Sequence, residues 1–165
     1  MHYIENNLAV GETIVYQTRL HWLIFSKSML IFIGALFFLL GGLFKWISPD
    51  AAIGFYLVAG ILCIISSVMF IAKWIQYISS EFGVTNSRVL IKVGFISRHS
   101  LELLLTKVEG IGVDQSITGR ILNYGTIIVS GTGGTKEAFA LIAHPLEFRK
   151  KVQEQIIALQ EINRS

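Results

Sequence analysis

Two stretches of this chain carry no charged side chain: residues 28–44 (SMLIFIGALFFLLGGLF) and residues 51–72 (AAIGFYLVAGILCIISSVMFIA), with only six residues between them. An α-helix rises about 1.5 Å per residue, so about 20 residues cross a hydrocarbon core of about 30 Å. The pair predicts a membrane-spanning helical hairpin. Two consecutive crossings return the chain to its starting side, so both termini are expected in one compartment.

Of the 165 residues, 53% are hydrophobic, and the mean hydropathy of +0.61 is high for a water-soluble domain. Charge is unevenly spread. Residues 1–72 carry three basic and three acidic side chains, whereas residues 73–165 carry eleven and eight, which accounts for the whole net charge of +3. The expected organisation is an N-terminal strand segment over 1–27, the hairpin over 28–74, and a mildly basic domain over 75–165 with one core of its own. Glu5 and Glu12 precede the first apolar run and no small-residue cleavage site follows it, so a cleaved signal peptide is not expected. The single cysteine, Cys63, falls in the middle of the second run and reads as a small packing residue.

Trp22, Trp46 and Trp74 fall near three of the four ends of the two spans, the headgroup level that indole rings prefer. Lys27, Lys45 and Lys73 also sit at span edges, where a lysine stem extends its ammonium into water. Between the spans, Pro49-Asp50 stops one helix and starts the next. Arg19, Lys27 and Lys73 flank the spans on the terminal side and Lys45 stands on the other, a bias that places both termini in the cytoplasm. Ala59, Cys63 and Ser67 repeat every four residues as a strip of small side chains. Such a strip serves either packing against the first span or a seam between copies.

Beyond Ile78 the pattern becomes short, alternating and glycine-punctuated. Arg88, Leu90 and Lys92 share one face of a strand and Val89, Ile91 and Val93 the other. Gly94-Phe95 reads as a turn into a strand over 96–103, where Arg98, Ser100 and Glu102 alternate with His99, Leu101 and Leu103. Further strands are expected over 108–113, 124–130 and 136–142, the first two divided by turn residues at Thr118-Gly119 and Asn123 and the last two joined by a turn at Gly131-Thr132-Gly133-Gly134. Pro145 opens an amphipathic helix whose stripe is Phe148, Val152, Ile156 and Leu159. Residues 12–19 (ETIVYQTR) also read as a strand, and the hairpin returns the chain to where that strand can join the later sheet.

Residues 85–96 (TNSRVLIKVGFI) resemble the opening signature of the bacterial pleckstrin-homology-like (PH-like) domains. Residues 119–126 (GRILNYGT) resemble their second signature, and Leu146-Glu147-Phe148 sits where their closing helix begins. Gly11-Glu12 and His21-Trp22 ahead of a span look like members that carry a membrane hairpin. The resemblance covers roughly residues 76–160. It implies an antiparallel sheet or barrel of about seven strands capped by a C-terminal helix, and no catalytic residues. The fold class expected is thus an α+β membrane protein, a two-helix transmembrane hairpin joined to a PH-like domain. Phosphoinositide-binding PH domains use a dense basic cluster around their first hairpin, which this sequence lacks.

No residue pattern calls for catalysis. His2, His21, His99 and His144 are far apart, with no metal-ligand spacing and no second cysteine. Gly131–Gly134 lacks the P-loop lysine, no serine stands in a G-x-S-x-G elbow, and Asp114 has no acidic partner in sequence. No cofactor, metal or catalytic residue is expected. A net charge of +3 without interleaved aromatics speaks against nucleic acid. Arg88, Lys92, Arg98 and Arg120 are the candidate lipid or partner contacts, either a solvated sheet face or a set meeting anionic headgroups. The function expected is a non-enzymatic membrane scaffold for protein assembly, with the bilayer and either further copies of itself or another membrane protein as partners. The alternatives are an anionic-lipid sensor in envelope stress or lipid homeostasis, and an accessory subunit of a transporter or protease complex.

Overall fold

The computed structural model describes residues 3–44, 52–94 and 99–162. In chain order the elements are α1 (Tyr3–Asn6), β1 (Ile14–Thr18), a 3-10 turn (Trp22–Phe25), α2 (Ser26–Leu43), α3 (Ala52–Ile78), β2 (Glu81–Thr85), β3 (Arg88–Val93) and β4 (His99–Leu104). A second 3-10 turn (Leu105–Lys107) leads to β5 (Val108–Asp114), α4 (Ile117–Leu122), β6 (Tyr124–Gly131), β7 (Lys136–Ala143) and α5 (Pro145–Ile162). They form two compact units, Met1–His21 with Gln76–Ser165, and Trp22–Ile75. The expected inter-span turn at Lys45, Trp46, Pro49 and Asp50 lies outside the described residues, as do Phe95 and Arg98.

In the second unit α2 and α3 run antiparallel. Ser66 Oγ donates to the Ser28 carbonyl at 2.9 Å, Phe25 packs on Phe70, and a Cβ at Gly42 would stand 2.8 Å from the Tyr56 ring. The buried positions are small: Ser28, Ala35, Gly41 and Gly42 on α2, Ala59 and Ser66 on α3. Ser28, Ala35 and Gly42 are spaced by seven residues, as are Ala59 and Ser66, a spacing that stays on one helix face. A four-residue repeat drifts about 40° per step, so of the Ala59, Cys63 and Ser67 strip only Ala59 is buried, while Cys63 and Ser67 are exposed. The large side chains point outward, Met29, Phe32, Ile33 and Phe37 from α2 and Leu57, Ile61, Ile64 and Val68 from α3. Only 17% and 11% of the most apolar stretches of Trp22–Leu43 and Ala52–Ile78 are buried. Both helices are long and apolar enough to cross a membrane.

The first unit is built from two antiparallel sheets, ordered β1-β2-β3-β4 and β5-β6-β7. Val84 pairs with Val89 and Phe82 with Ile91, which fixes the β2–β3 register, and Ile91 pairs in turn with Leu101. The N-terminal strand belongs to both sheets. Its Ile14–Thr18 stretch pairs with β2. Beyond it, Leu20 bridges Ile142 of β7, His21 N–H donates to the Leu141 carbonyl, and Ala143 N–H donates to the Arg19 carbonyl. Phe82 meets Phe139 edge-on at 6.2 Å across the interior. Val84, Val89, Ile91, Ile127, Val129 and Ile142 complete a fully buried core. Phe148 and Val152 of α5 are buried with them, and α5 packs on strands of both sheets.

Candidate functional site

Alternation along β3 puts Arg88, Leu90 and Lys92 on the face of the four-stranded sheet opposite the core. That face is covered. Ile4 of α1 is fully buried, and a Cβ at Gly83 would stand 2.7 Å from Ile4 Cδ1, so the glycine lets α1 lie on β2. The Ile4 N–H donates to Glu81 Oε2 at 3.1 Å. Leu90, outward by alternation, is therefore as buried as its inward neighbours Val89 and Ile91.

Arg88 is the centre of this arrangement. Its Nε and Nη2 donate to the two oxygens of Glu12 at 2.9 and 2.8 Å, the bidentate geometry in which guanidinium and carboxylate fit best. Nη1 donates to Glu102 Oε2 at 2.9 Å and Nη2 also to the Asn7 carbonyl at 2.6 Å. Glu12 accepts two further bonds, from Thr85 Oγ1 at 2.6 Å and from the Ala9 N–H at 2.7 Å. The side chains are 2% exposed for Glu12 and 21% for Arg88. Arg88 first, then the Ala9 and Thr85 bonds, hold the Glu12 carboxyl down to about 2 against the opposing effect of burial. The Arg88 guanidinium is raised, chiefly by its bonds to Glu12.

Lys92 lies two repeats further along the strand, beyond Leu90 on the same face. Its Nζ stands 4.2 Å from the centre of the Tyr3 ring, and Tyr3 donates its hydroxyl to Glu102 Oε1 at 3.2 Å. Arg88 and Lys92 thus share a face and share contacts with the N-terminal segment. Arg120 stands apart from them on α4, exposed, with no carboxylate paired to it among the described residues. Arg98 and Trp46 are outside the described residues. Trp22 and Trp74 are both exposed, and Trp74 stacks on Phe70 with centroids 6.0 Å apart.

Sequence reasoning missed Glu12, Glu102 and Tyr3 as partners of the basic pair. Glu12 is separated from Arg88 by 76 positions, and periodicity carries no information about such a pairing. Thr118-Gly119, read as dividing two strands, lies instead in α4: the Ser116 hydroxyl accepts from Gly119 N–H at its start, and Asn123 ends it in the left-handed conformation. Among the described residues no group of three or more His, Cys, Asp or Glu side chains comes together to hold a metal ion.

The sequence model of the bacterial PH domain family matches residues 28–160, beginning in α2 and ending in α5. The chain belongs to the bacterial PH domain family. No curated protein matches it. Strands β2 to β7 and nearly all of the closing helix fall within the matched stretch, whereas α1, Glu12 and β1, which cover and extend the four-stranded sheet, precede it in sequence.

Proposed function

We propose that the protein is an integral membrane scaffold. Its α2–α3 hairpin crosses the bilayer twice and tethers a cytoplasmic bacterial PH domain that organises protein assembly at the membrane surface without catalysis. One observation carries this reading: the hairpin turns its small residues inward and its large apolar side chains outward, an arrangement that water penalises and lipid accommodates. Basic residues set the direction, with Arg19, Lys27 and Lys73 flanking the spans on the terminal side. The ion pairs of Arg88 and the ring contact of Lys92 are already made within the domain, which favours a scaffold over headgroup capture at that face.

Self-association through the outward strip of α3 belongs to the same proposal. Cys63 and Ser67 are exposed, unlike Ala59 and Ser66, so replacing both with leucine fills a seam between copies without entering the buried contact of the hairpin. The mass of the gently extracted protein, measured by light scattering in mild detergent, is expected to fall from an oligomer to a single chain. An unchanged mass removes the seam from the proposal. Ala59→Leu serves as the contrasting variant. It overfills the buried contact within one hairpin and is expected to cost about 1–3 kcal/mol of stability.

A further inference from the structure

The six residues of α4 display isoleucines rather than hide them. Ile117 is 80% exposed and Ile121 77%, with Leu122 beside them and Arg120 between. The helix under these side chains is rigidly built. Gln115 Nε2 donates to the Tyr124 carbonyl at 2.9 Å, and the Thr118 and Tyr124 hydroxyls lie 2.9 Å apart. Asn123 Nδ2 is 2.7 Å from His144 Nδ1, and the His144 N–H donates to the Asn123 carbonyl at 3.0 Å. A Cβ at Gly119 would lie 2.6 Å from the Tyr124 carbonyl oxygen, so no side chain fits there. These bonds tie α4 back to the domain while the apolar side chains point away from it.

The position of α4 in the fold says what covers it. The His21 ring packs against Tyr124 with centroids 5.3 Å apart, and the residue after His21 is Trp22, where the first apolar stretch begins. α4 therefore stands beside the point at which the chain leaves the β module for its apolar helices. Arg19, also exposed, is two residues before that point. A stable protein partner buries about 800 Å² per side, far more than one and a half turns of helix present. A lipid surface sets no such threshold, because the domain is already tethered and the contact is intramolecular in effect.

We propose that α4 is a membrane-docking knob: Ile117, Ile121 and Leu122 enter the headgroup–acyl boundary of the bilayer, and Arg120 meets lipid phosphates at its surface. This rests on the membrane placement of the hairpin argued above. It adds a second point of attachment, which fixes how the domain is presented to its partners. By apolar area, an isoleucine wholly withdrawn from water contributes about one to two orders of magnitude in partition.

The test uses the full chain reconstituted in vesicles of phosphatidylcholine with phosphatidylglycerol as the minority lipid. Ile117→Cys and Ile121→Cys are each made in a Cys63→Ser background and labelled with a polarity-sensitive fluorophore. Both positions are exposed, so neither change disturbs the core. Thr132→Cys is the reference, in the turn at the far end of β6, about 23 Å of extended strand from Tyr124. Labels at 117 and 121 are expected to emit further to the blue, to be quenched several-fold more strongly by brominated lipid, and to be shielded from iodide. Iodide access equal to that at 132 would overturn the knob. So would shielding from iodide without lipid quenching, which signals a covering protein such as a second copy. Ile61→Cys, also in the Cys63→Ser background and on a face of α3 away from the Cys63–Ser67 strip, reports the anchor separately. Lipid quenching there with none at 117 and 121 sinks the knob alone, whereas no lipid quenching at 61 sinks the membrane placement itself.

Discussion

Arg88→Ala is expected to destabilise the PH domain by about 2–3 kcal/mol, most of it from the carboxylate left behind. Glu12 is nearly inaccessible to water and is bonded on both oxygens. Without the guanidinium it must be protonated or find a substitute in Thr85 and the Ala9 N–H alone. Arg88→Lys is expected to recover only part of the loss, because an ammonium cannot make the bidentate contact and also reach Glu102. The pH dependence identifies the cause. The folded chain holds the Glu12 carboxyl at about 2, below its ordinary 4.5, so the stabilisation is complete above pH 4.5 and is lost as pH falls toward 2. Thermal unfolding in detergent across that window is expected to show a steep acid loss for the wild type. In Arg88→Ala and Glu12→Gln the corresponding loss should be smaller. An Arg88→Ala protein as stable and as acid-sensitive as the parent would show that the ion pair contributes nothing.

Phe148→Ala is expected to cost more, about 3–5 kcal/mol, the range for emptying an aromatic position in a closed core. The Phe148 ring is fully buried and meets Tyr16 of β1 edge-on at 6.4 Å. Tyr16 in turn donates its hydroxyl to Glu147 at 3.1 Å, and burial followed by that bond pushes the phenol up to about 12. The helix thus holds the first strand by a ring contact and a hydrogen bond from adjacent positions. Removing the ring loosens α5 from the strands of both sheets and from the strand that runs between them. Hydrogen exchange should register the change as lost amide protection in β1 as well as in α5. Loss confined to α5 would mean that the helix is an appendage to a self-sufficient sheet pair.

These two sites also show what the sequence made legible. The stripe that begins at Phe148 and Val152 is a local pattern, and both residues are fully buried as its spacing requires. The alternation of Arg88 to Val93 correctly separates two sheet faces, because pleat geometry is local too. Coverage of the outer face is not local. It depends on Ile4 and Glu12 arriving from the far side of two apolar helices, and only tertiary structure brings them there. In α4, Gly119 and Asn123 read as turn residues from composition, but the Ser116 cap and the left-handed Asn123 make them parts of a short helix. Along α3, a strip picked out by residue size at four-residue spacing departs from the face picked out by burial, for the rotational reason given above.

The arrangement of the chain across the bilayer is most directly tested by one-sided labelling of single cysteines in sealed native membrane vesicles of known orientation. In a Cys63→Ser background the informative positions are Gly11 between α1 and β1, Phe44 at the end of α2, and Thr132 in the last hairpin turn. Gly11→Cys and Thr132→Cys are expected to react only from the cytoplasmic face and Phe44→Cys only from the opposite one. Reaction of positions 11 and 132 from different faces, or of all three from the same face, would contradict a twice-crossing anchor.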